Sequence, residues 1–366
     1  MMHILPKFTS ILLISGSSSH AFRSSISPIR HATTLSMSSS SSSLVTIKEA
    51  IEAHKSNKSS NKFIDGSWFM PGTRNGRAEY ISGPRIPGAL YLDIDVISPQ
   101  PGSADNPNSL PHMKPSSKLF ACTMDRMGIS PDDTLYVYGT PGCGFNHRSY
   151  WTLSSTGYHD PSKVKLLQGS LDEWKDCGGQ LEYEELKDDD TRLFKMSDIN
   201  DYENASLKYT CFQNDVSSVV NMEQVLQVVQ QQDGDSSSDT IIVDARSSGR
   251  FYGKDPEPRE GLRSGHMPNA INVPFISLLD TNDMTKFKPM DEVREIFVNA
   301  GIKPIVEGDD NVPKRKVICS CGSGVTAAVL AVGLEECGLR GKEDIVIYDG
   351  SWIEYGGNKE TPIVTD

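Results

Sequence analysis

The second half of the chain alternates short, continuous apolar runs with longer helical patterns. Residues 241–243, 317–319 and 345–348 are runs of strand length that are rich in Ile and Val. Between the last two runs, residues 326–334 are rich in Ala, Val and Leu, and Gly338 follows as the signal that ends the predicted helix. Apolar strands separated by helices indicate an α/β fold, in which helices cover both faces of a parallel sheet.

Similar motifs occur twice along the chain at a nearly constant offset. The triplet PGA at residues 87–89 matches PNA at 268–270, and GSLDEW at 169–174 matches GSWIEY at 350–355. Both matches have an offset of 181 residues. Because several elements keep one offset, the sequence predicts two copies of one structural unit.

We therefore predict two tandem α/β domains, residues 44–180 and residues 222–366, joined by a linker over residues 181–221. Residues 1–43 precede both domains and are rich in Ser. No Asp or Glu precedes Glu49, whereas four Lys or Arg residues lie in that stretch. A basic, Ser-rich, acid-free segment is typical of a targeting leader. It predicts an organelle, and both a mitochondrion and a plastid remain open.

Composition narrows the classes of function. The chain has 36 Lys and Arg against 48 Asp and Glu, a net charge of -12, and it has no basic stripe, which argues against a nucleic-acid partner. No apolar run approaches the roughly 18 residues of a transmembrane helix, so we expect no membrane partner. The seven Cys residues contain no CxxC pair and the eight His residues lack ligand spacing, so we predict no metal site and no cofactor.

Cys321 is the candidate nucleophile because it lies where a strand, a glycine-rich loop and a helix meet, in the run VICSCGSGVTA. Successive backbone N–H groups of such a loop form a nest for an anion, and the helix dipole adds positive potential. A helix N-terminus can lower a Cys pKa from about 8.5 to roughly 3.5–7.5, which favours the nucleophilic thiolate. Cys319 lies on the predicted strand, and we expect it to be structural, like the other cysteines.

Motifs in both halves resemble those of tandem-domain sulfurtransferases of the rhodanese superfamily. In the second half these are CGSGVT at 321–326, DARSSGRFYGKDPEPREG at 244–261, GHMPNAINVPF at 265–275 and YDGSW at 348–352. The first half is similar to the non-catalytic domain of that family through DGSWFMP at 65–71, RIPGALYLDID at 85–95 and LPHM at 110–113. The resemblance implies two rhodanese-like domains, of which the second is catalytic.

The resemblance also implies a substrate. Family members that act on 3-mercaptopyruvate share the loop CGSGV, whereas those that act on thiosulfate carry a basic residue where Ser323 stands here. Arg250 and Arg259 match the pair that binds the carboxylate and keto group, a task that suits planar guanidinium groups. The loop residues implied to contact the substrate are Gly322, Ser323, Gly324, Val325 and Thr326.

The implied reaction is covalent sulfur transfer. The Cys321 thiolate attacks the sulfur of 3-mercaptopyruvate, pyruvate leaves as its enolate, and a persulfide remains on the cysteine. A small thiol, a thioredoxin-like protein or cyanide then accepts the outer sulfur. Two alternatives stay open, a thiosulfate:cyanide sulfurtransferase and a persulfide-carrying scaffold.

The first half departs from the family pattern. Thr140 stands at the offset of Cys321, so this half lacks the nucleophile. Related mercaptopyruvate enzymes have a His where Arg85 stands and an Asp where Asn75 stands, so their Ser–His–Asp relay cannot be transferred to this chain. We expect Arg85 instead to add positive charge to the cleft.

Overall fold

The fold consists of two parallel sheets, each flanked by helices. The structure is a computed structural model, and it describes residues 42–187, 190–213, 217–231, 240–305 and 316–365. Nearly all of the predicted leader, residues 1–43, therefore lies outside the described residues. Within them, ten strands form two five-stranded sheets in which every paired strand is parallel. The predicted α/β class with two tandem copies is confirmed.

The first copy contains one sheet and six of the described α-helices. Its strands are β1 (Leu44–Thr46), β2 (Asn61–Asp65), β3 (Leu90–Tyr91), β4 (Thr134–Tyr138) and β5 (Val164–Gln168). Its helices are α1 (Ile47–Lys55), α2 (Gly76–Ser82), α3 (Ile94–Ile97), α4 (Ser117–Arg126), α5 (Asn146–Ser154) and α6 (Leu171–Asp176). A capping box between Thr46 and Glu49 satisfies the free N–H groups at the start of α1.

The second copy repeats this organisation. Its strands are β6 (Val219–Val220), β7 (Thr240–Asp244), β8 (Ile271–Asn272), β9 (Lys316–Ser320) and β10 (Ile345–Tyr348). Its helices are α7 (Met222–Gln231), α8 (Ser248–Phe251), α9 (Met290–Asn299), α10 (Ala327–Glu336) and α11 (Ser351–Tyr355). Short 3-10 helices occur at Pro161–Lys163, Met196–Asp198, Phe275–Leu278 and Lys342–Asp344. In the described part of the chain, no helix is long and apolar enough to cross a membrane.

Both sheets have the same strand order, β1-β5-β4-β2-β3 in the first and β6-β10-β9-β7-β8 in the second. The strands β7, β9 and β10 and the helix α10 lie where the apolar pattern predicts them, and Gly338 follows α10 with a φ of +68°. In parallel sheets of this kind, ligands bind beyond the carboxyl ends of the strands. The loop after β9 leaves the sheet at that edge, and it begins with Cys321.

Strand register corrects one equivalence between the copies. β4 ends at Tyr138 and β9 ends at Ser320, and each last residue pairs with the aspartate that ends the neighbouring strand. The counterpart of Cys321 is therefore Gly139, not Thr140 as the constant offset predicts. The offset fails here because the loop before α5 is one residue longer than the loop before α10. Neither assignment gives the first copy a cysteine at this position.

The apolar cores of the two copies are continuous. Leu153 on α5 of the first copy and Leu330 on α10 of the second belong to one buried cluster, and the two helices pack against each other. The segment predicted as a linker, residues 181–221, also buries Leu193 and Phe194 in clusters of the first copy. The part of this segment around Leu193 and Phe194 is therefore packed on the first copy, whereas Val219 and Val220 form β6 of the second sheet, and the domain boundaries stay predictions.

Candidate active site

The Cys321 loop, residues 321–326, leaves its backbone N–H groups free. Cys321 donates its own N–H to Oγ of Ser351 at 3.2 Å. The N–H groups of residues 322–326 have no hydrogen-bond partner within the described chain. Folded proteins leave few backbone donors unpaired. This row of donors therefore indicates a place where an anion binds.

A left-handed glycine and a helix start define the shape of the loop. Gly324 has a φ of +81°, in the region that favours glycine. Thr326 is the N-cap of α10 and makes no side-chain cap hydrogen bond. Cys321 and Ser323 are only 2% and 7% exposed. The thiol thus is almost fully buried just before a helix start, where the helix dipole stabilises negative charge.

The other cysteines near strand ends have a different environment. Cys319 is fully buried on β9, and burial raises the pKa of its thiol well above the ordinary value. Cys143 lies in the first copy's loop before α5, and burial also raises its pKa. Its Sγ lies 3.6 Å from the carbonyl oxygen of Trp68. Burial without enough compensating charge favours the thiol over the thiolate, so these positions suit structural cysteines.

Arg250 lies directly beside the Cys321 loop. A Cβ atom placed on Gly322 would be 3.2 Å from Nη2 of Arg250. The same Nη2 lies 2.5 Å from Oε2 of Glu257, a carboxylate that is 1% exposed. The other carboxylate oxygen of Glu257 lies 2.8 Å from Nη1 of the buried Arg246. Glu257 therefore fixes the Arg250 guanidinium next to the candidate nucleophile.

Arg259, the second predicted arginine, faces the first copy. It is half-buried and forms no ion pair or hydrogen bond with any described residue. Burial raises the pKa of Asp95, but hydrogen bonds from His112 and Trp68 and the charge of Arg259 lower that pKa below its ordinary value. Because Asp95 belongs to α3, the Arg259 side chain lies near the first copy. An arginine without a partner is available to bind an anionic substrate.

Apolar residues of the first copy cover the Cys321 loop. Val325 is 3% exposed and packs in one cluster with Trp68 and Ile94. The ring of Phe145 packs against Trp68 with a centroid distance of 5.5 Å and against Phe275 of the second copy at 5.9 Å. The candidate site therefore lies between the two copies and uses residues from both.

Arg148 on α5 links the first copy to the Cys321 loop. Its Nη1 lies 2.9 Å from Oδ1 of Asp349, and both side chains are 2% exposed. The guanidinium also donates to the carbonyl oxygens of Gly324 at 3.1 Å and His112 at 2.6 Å. Asp349 in turn accepts the N–H of Lys114. One buried side chain thus joins the loop, its neighbouring strand end and a first-copy segment.

Arg85 does not lie with these residues, which corrects the expectation that it adds charge to the cleft. It is fully buried, and its Nη2 lies 2.8 Å from Oε1 of Glu182. The guanidinium also donates to the backbone carbonyl groups of Tyr80, Ile81 and Glu184. All these partners belong to the first copy or to the segment that follows it. Arg85 therefore stabilises the packing of that segment and is not available to a substrate.

The comparisons with known proteins identify the family of this chain. A sequence model of the rhodanese-like domain matches residues 226–357. The chain is 32% identical over 314 residues to a probable 3-mercaptopyruvate sulfurtransferase of Schizosaccharomyces pombe, covering 86% of this chain and 92% of that protein. The chain belongs to the rhodanese-domain sulfurtransferases. It is therefore a transferase, and the family resemblance inferred from the motifs is confirmed.

Other members of this sulfurtransferase family are similar over most of the chain. The mitochondrial thiosulfate/3-mercaptopyruvate sulfurtransferase 1 of Arabidopsis thaliana is 32% identical over 304 residues, covering 82% of this chain and 73% of that protein. The crystal structure of the 3-mercaptopyruvate sulfotransferase SseA from Escherichia coli matches with a TM-score of 0.62 and 29% identity, covering 85% of this chain and 99% of that one.

Several residues of this sulfurtransferase site were not predicted from the sequence. Asp349 and His112 lie inside the motifs YDGSW and LPHM, so each motif was a signal without an assigned role. Arg148 lies in α5, a helix whose nine residues are all buried. A buried arginine requires a partner, but the sequence does not show which helices are fully buried.

Proposed function

We propose that this chain is a 3-mercaptopyruvate sulfurtransferase that acts through a persulfide on Cys321. The observation that supports it best is the uncharged Cys321 loop, with its free N–H groups, next to Arg250. 3-Mercaptopyruvate offers one carboxylate to the arginines and an uncharged sulfur to the thiolate. Thiosulfate is a compact dianion, for which a cation in place of Ser323 would be favourable.

The reaction has two halves. In the first half, the Cys321 thiolate attacks the substrate sulfur, the carbon–sulfur bond breaks, and its electrons pass into the enolate of pyruvate. Arg250 and Arg259 hold the carboxylate and the developing enolate oxygen through charge-assisted hydrogen bonds. In the second half, an acceptor thiolate attacks the outer sulfur of the persulfide and leaves Cys321 as a thiolate. The free N–H groups of residues 322–326 stabilise the negative sulfur in both halves.

We also propose which part of the chain is catalytic and which molecules accept the sulfur. Residues 222–366 form the catalytic domain, residues 44–180 form a non-catalytic domain that completes the site, and residues 181–221 connect them. A small thiol, a thioredoxin-like protein or cyanide accepts the sulfur. The basic, Ser-rich leader, residues 1–43, directs the protein to a mitochondrion or a plastid, and the word mitochondrial in the name of the Arabidopsis relative supports the first. Sequencing the N-terminus of the protein from its own cells checks the leader, because an intact Met1 would contradict cleavage.

Turnover of two donors, with matched cysteine variants, tests the reaction. We expect the wild-type protein to have a higher kcat/KM with 3-mercaptopyruvate than with thiosulfate. Cys321→Ser should abolish turnover and the persulfide mass adduct, whereas Cys319→Ser should retain most of the turnover. Equal loss in both variants would refute the assignment of the nucleophile.

Two other results would favour the alternatives. A preference for thiosulfate would identify the chain as a thiosulfate sulfurtransferase, an outcome for which the double name of the Arabidopsis relative gives some support. Turnover of neither donor, with a persulfide still formed on Cys321 by a sulfur-donating protein, would identify a carrier scaffold.

A further inference from the structure

His112 is a buried histidine whose local structure is unusual. Its φ of +58° lies in the left-handed region, which residues with a Cβ seldom adopt. The side chain is 5% exposed, and Nδ1 lies 2.6 Å from Oδ1 of Asp95. The other ring nitrogen, Nε2, is buried and has no hydrogen-bond partner among the described residues. Backbone strain and buried unpaired nitrogen atoms both need an explanation, and both recur at functional sites.

Contacts through Arg148 and Trp68 place His112 at the candidate active site. Arg148 donates to the carbonyl oxygen of His112 at 2.6 Å and to that of Gly324 in the Cys321 loop at 3.1 Å. The His112 ring packs edge-on against Trp68 with a centroid distance of 4.8 Å, and Trp68 shares one buried cluster with Val325 of the same loop. The histidine is therefore separated from the Cys321 loop by single side chains.

Asp95 connects this histidine to Arg259, one of the two arginines proposed to bind the substrate. One of its oxygens lies next to His112, and the other accepts the Trp68 indole N–H at 2.8 Å. The positive charge of Arg259 also acts on Asp95 and contributes to its lowered pKa. A carboxylate on Nδ1 fixes the tautomer of a histidine and leaves Nε2 to exchange protons. The pair thus combines an oriented imidazole with a free nitrogen near the substrate.

We propose that His112 is the acid–base residue of the sulfur transfer and that Asp95 positions it; this inference rests on the proposed function. In the first half-reaction, the electrons of the broken carbon–sulfur bond form the pyruvate enolate, and Nε2 of the imidazolium gives its proton to the methylene carbon. The substrate's own thiol proton stays on the persulfide. In the second half-reaction, neutral Nε2 takes the proton of the acceptor thiol, whose thiolate attacks the outer sulfur. The histidine therefore ends each cycle protonated as it began.

Arg85 and Ser323 are the other candidates for this proton transfer, and neither is suited to it. Arg85, which stands at the family's histidine position, is buried with its own partners away from the Cys321 loop. Ser323 has a hydroxyl whose proton cannot leave at neutral pH without a base. His112 supplies such a base. The charged and titratable groups that face it are Asp95 from α3, Arg148 from α5 with its partner Asp349, Lys114 two residues away, and Arg259 across Asp95.

Two substitutions at His112 test this role while keeping its backbone conformation. Asn tolerates the left-handed region, and Gly adopts it freely. We expect His112→Asn to lower the single-turnover rates of pyruvate release and of sulfur transfer to an acceptor thiol by about 100-fold, a typical loss for a general acid–base residue. The KM for 3-mercaptopyruvate should change little, since Arg250 and Arg259 remain. Imidazole in the buffer should restore part of the activity of His112→Gly.

The pH profile distinguishes proton transfer from a structural role. In the wild type, pyruvate release needs the imidazolium, so its rate should fall as the pH rises. The second half-reaction needs the neutral ring, so its rate should fall as the pH drops. Both limbs should disappear in His112→Asn. Asp95→Asn should keep both limbs but shift them to lower pH, because the neutral amide no longer stabilises the imidazolium.

A matched histidine control and the following outcomes test the role of His112. His159 is a second buried histidine of the first copy, bonded to Tyr209 and to the Asp133 carbonyl group, and His159→Asn should leave both pH limbs in place. If the wild type releases no pyruvate, the proposed function fails and this inference fails with it. If the wild type is active and His112→Asn keeps its rate and pH profile, only the role of His112 is refuted. A lower melting temperature with unchanged limbs, or no imidazole rescue, likewise refutes it.

Discussion

Removal of the Arg148 guanidinium should destabilise the protein by an amount that its contacts allow us to calculate. In Arg148→Met, a long apolar side chain fills the same volume, but Asp349 loses the cation at 2.9 Å while remaining 2% exposed. A buried ion that loses its partner costs about 3–5 kcal/mol. Because the Lys114 N–H still donates to Asp349, we expect the lower end, about 3 kcal/mol.

Urea unfolding of single and double variants measures this loss. Asp349→Asn keeps a polar acceptor for Lys114 but leaves the Arg148 charge without a counterion, and we expect a cost of about 1–3 kcal/mol. The double variant removes both charges. It should therefore be more stable than the sum of the single losses implies, by about 1–3 kcal/mol. The m-value should stay constant, so that changes in the urea midpoint report stability.

An exposed arginine provides the control for this cycle. Arg126→Met at the end of α4 should change the free energy of unfolding by less than about 0.5 kcal/mol. A loss below about 1 kcal/mol in Arg148→Met, or losses that simply add in the double variant, would refute the argument that this pair is a coupled, desolvated contact. Turnover should fall as well in Arg148→Met, because the Gly324 carbonyl group in the Cys321 loop loses its donor.

Two further predictions concern acid stability and the shape of the loop. Burial lowers the pKa of His147 to about 4. Between about pH 6.5 and 4, the histidine is therefore protonated in the unfolded chain but neutral in the folded chain. The free energy of unfolding should therefore have its full value above about pH 6.5 and decrease by about 3 kcal/mol as the pH falls towards 4. Urea unfolding at several pH values should show a smaller decrease for His147→Gln than for the wild type. An equal decrease in both proteins would contradict this prediction. A Cβ on Gly324 would lie 2.9 Å from the Asp349 carbonyl oxygen at a φ of +81°, so Gly324→Ala should reduce both activity and stability. Gly88→Ala is the control, because Gly88 has a φ of +74° and nothing lies near its added Cβ. This variant should lose only about 1 kcal/mol of stability and keep its activity. Equal losses of activity in Gly324→Ala and Gly88→Ala would contradict the prediction.

The sequence predicted those features that depend on local pattern. The strands β7, β9 and β10 are continuous apolar runs, and such runs can be recognised as strands from their own residues alone. The Cys321 loop was recognised because a glycine-rich turn between a strand and a helix has a local physical meaning. The position of Arg250 beside Gly322 follows from the same family motif and the same sheet edge.

The features that were missed depend on contacts between distant segments. Arg148 meets Asp349 across 201 residues of sequence, and no local pattern encodes that meeting. Arg85 was expected in the cleft because of its place in a motif. Its side chain is instead held by an ion pair with Glu182, which lies in the segment predicted as a linker. The one-residue error at Gly139 arose because a constant offset cannot reveal an inserted residue inside a loop.

The first copy therefore has a physical reason to remain after losing its nucleophile. Its loop before α5 has Gly139 where the second copy has Cys321, yet the same edge of the first sheet carries Trp68 and Phe145, which pack at the Cys321 loop. Removing the first copy would expose Val325 and leave Asp349 without the cation of Arg148. By our proposal, the first copy thus contributes an apolar cover, an anchoring arginine and the proton-transferring histidine to a single active site.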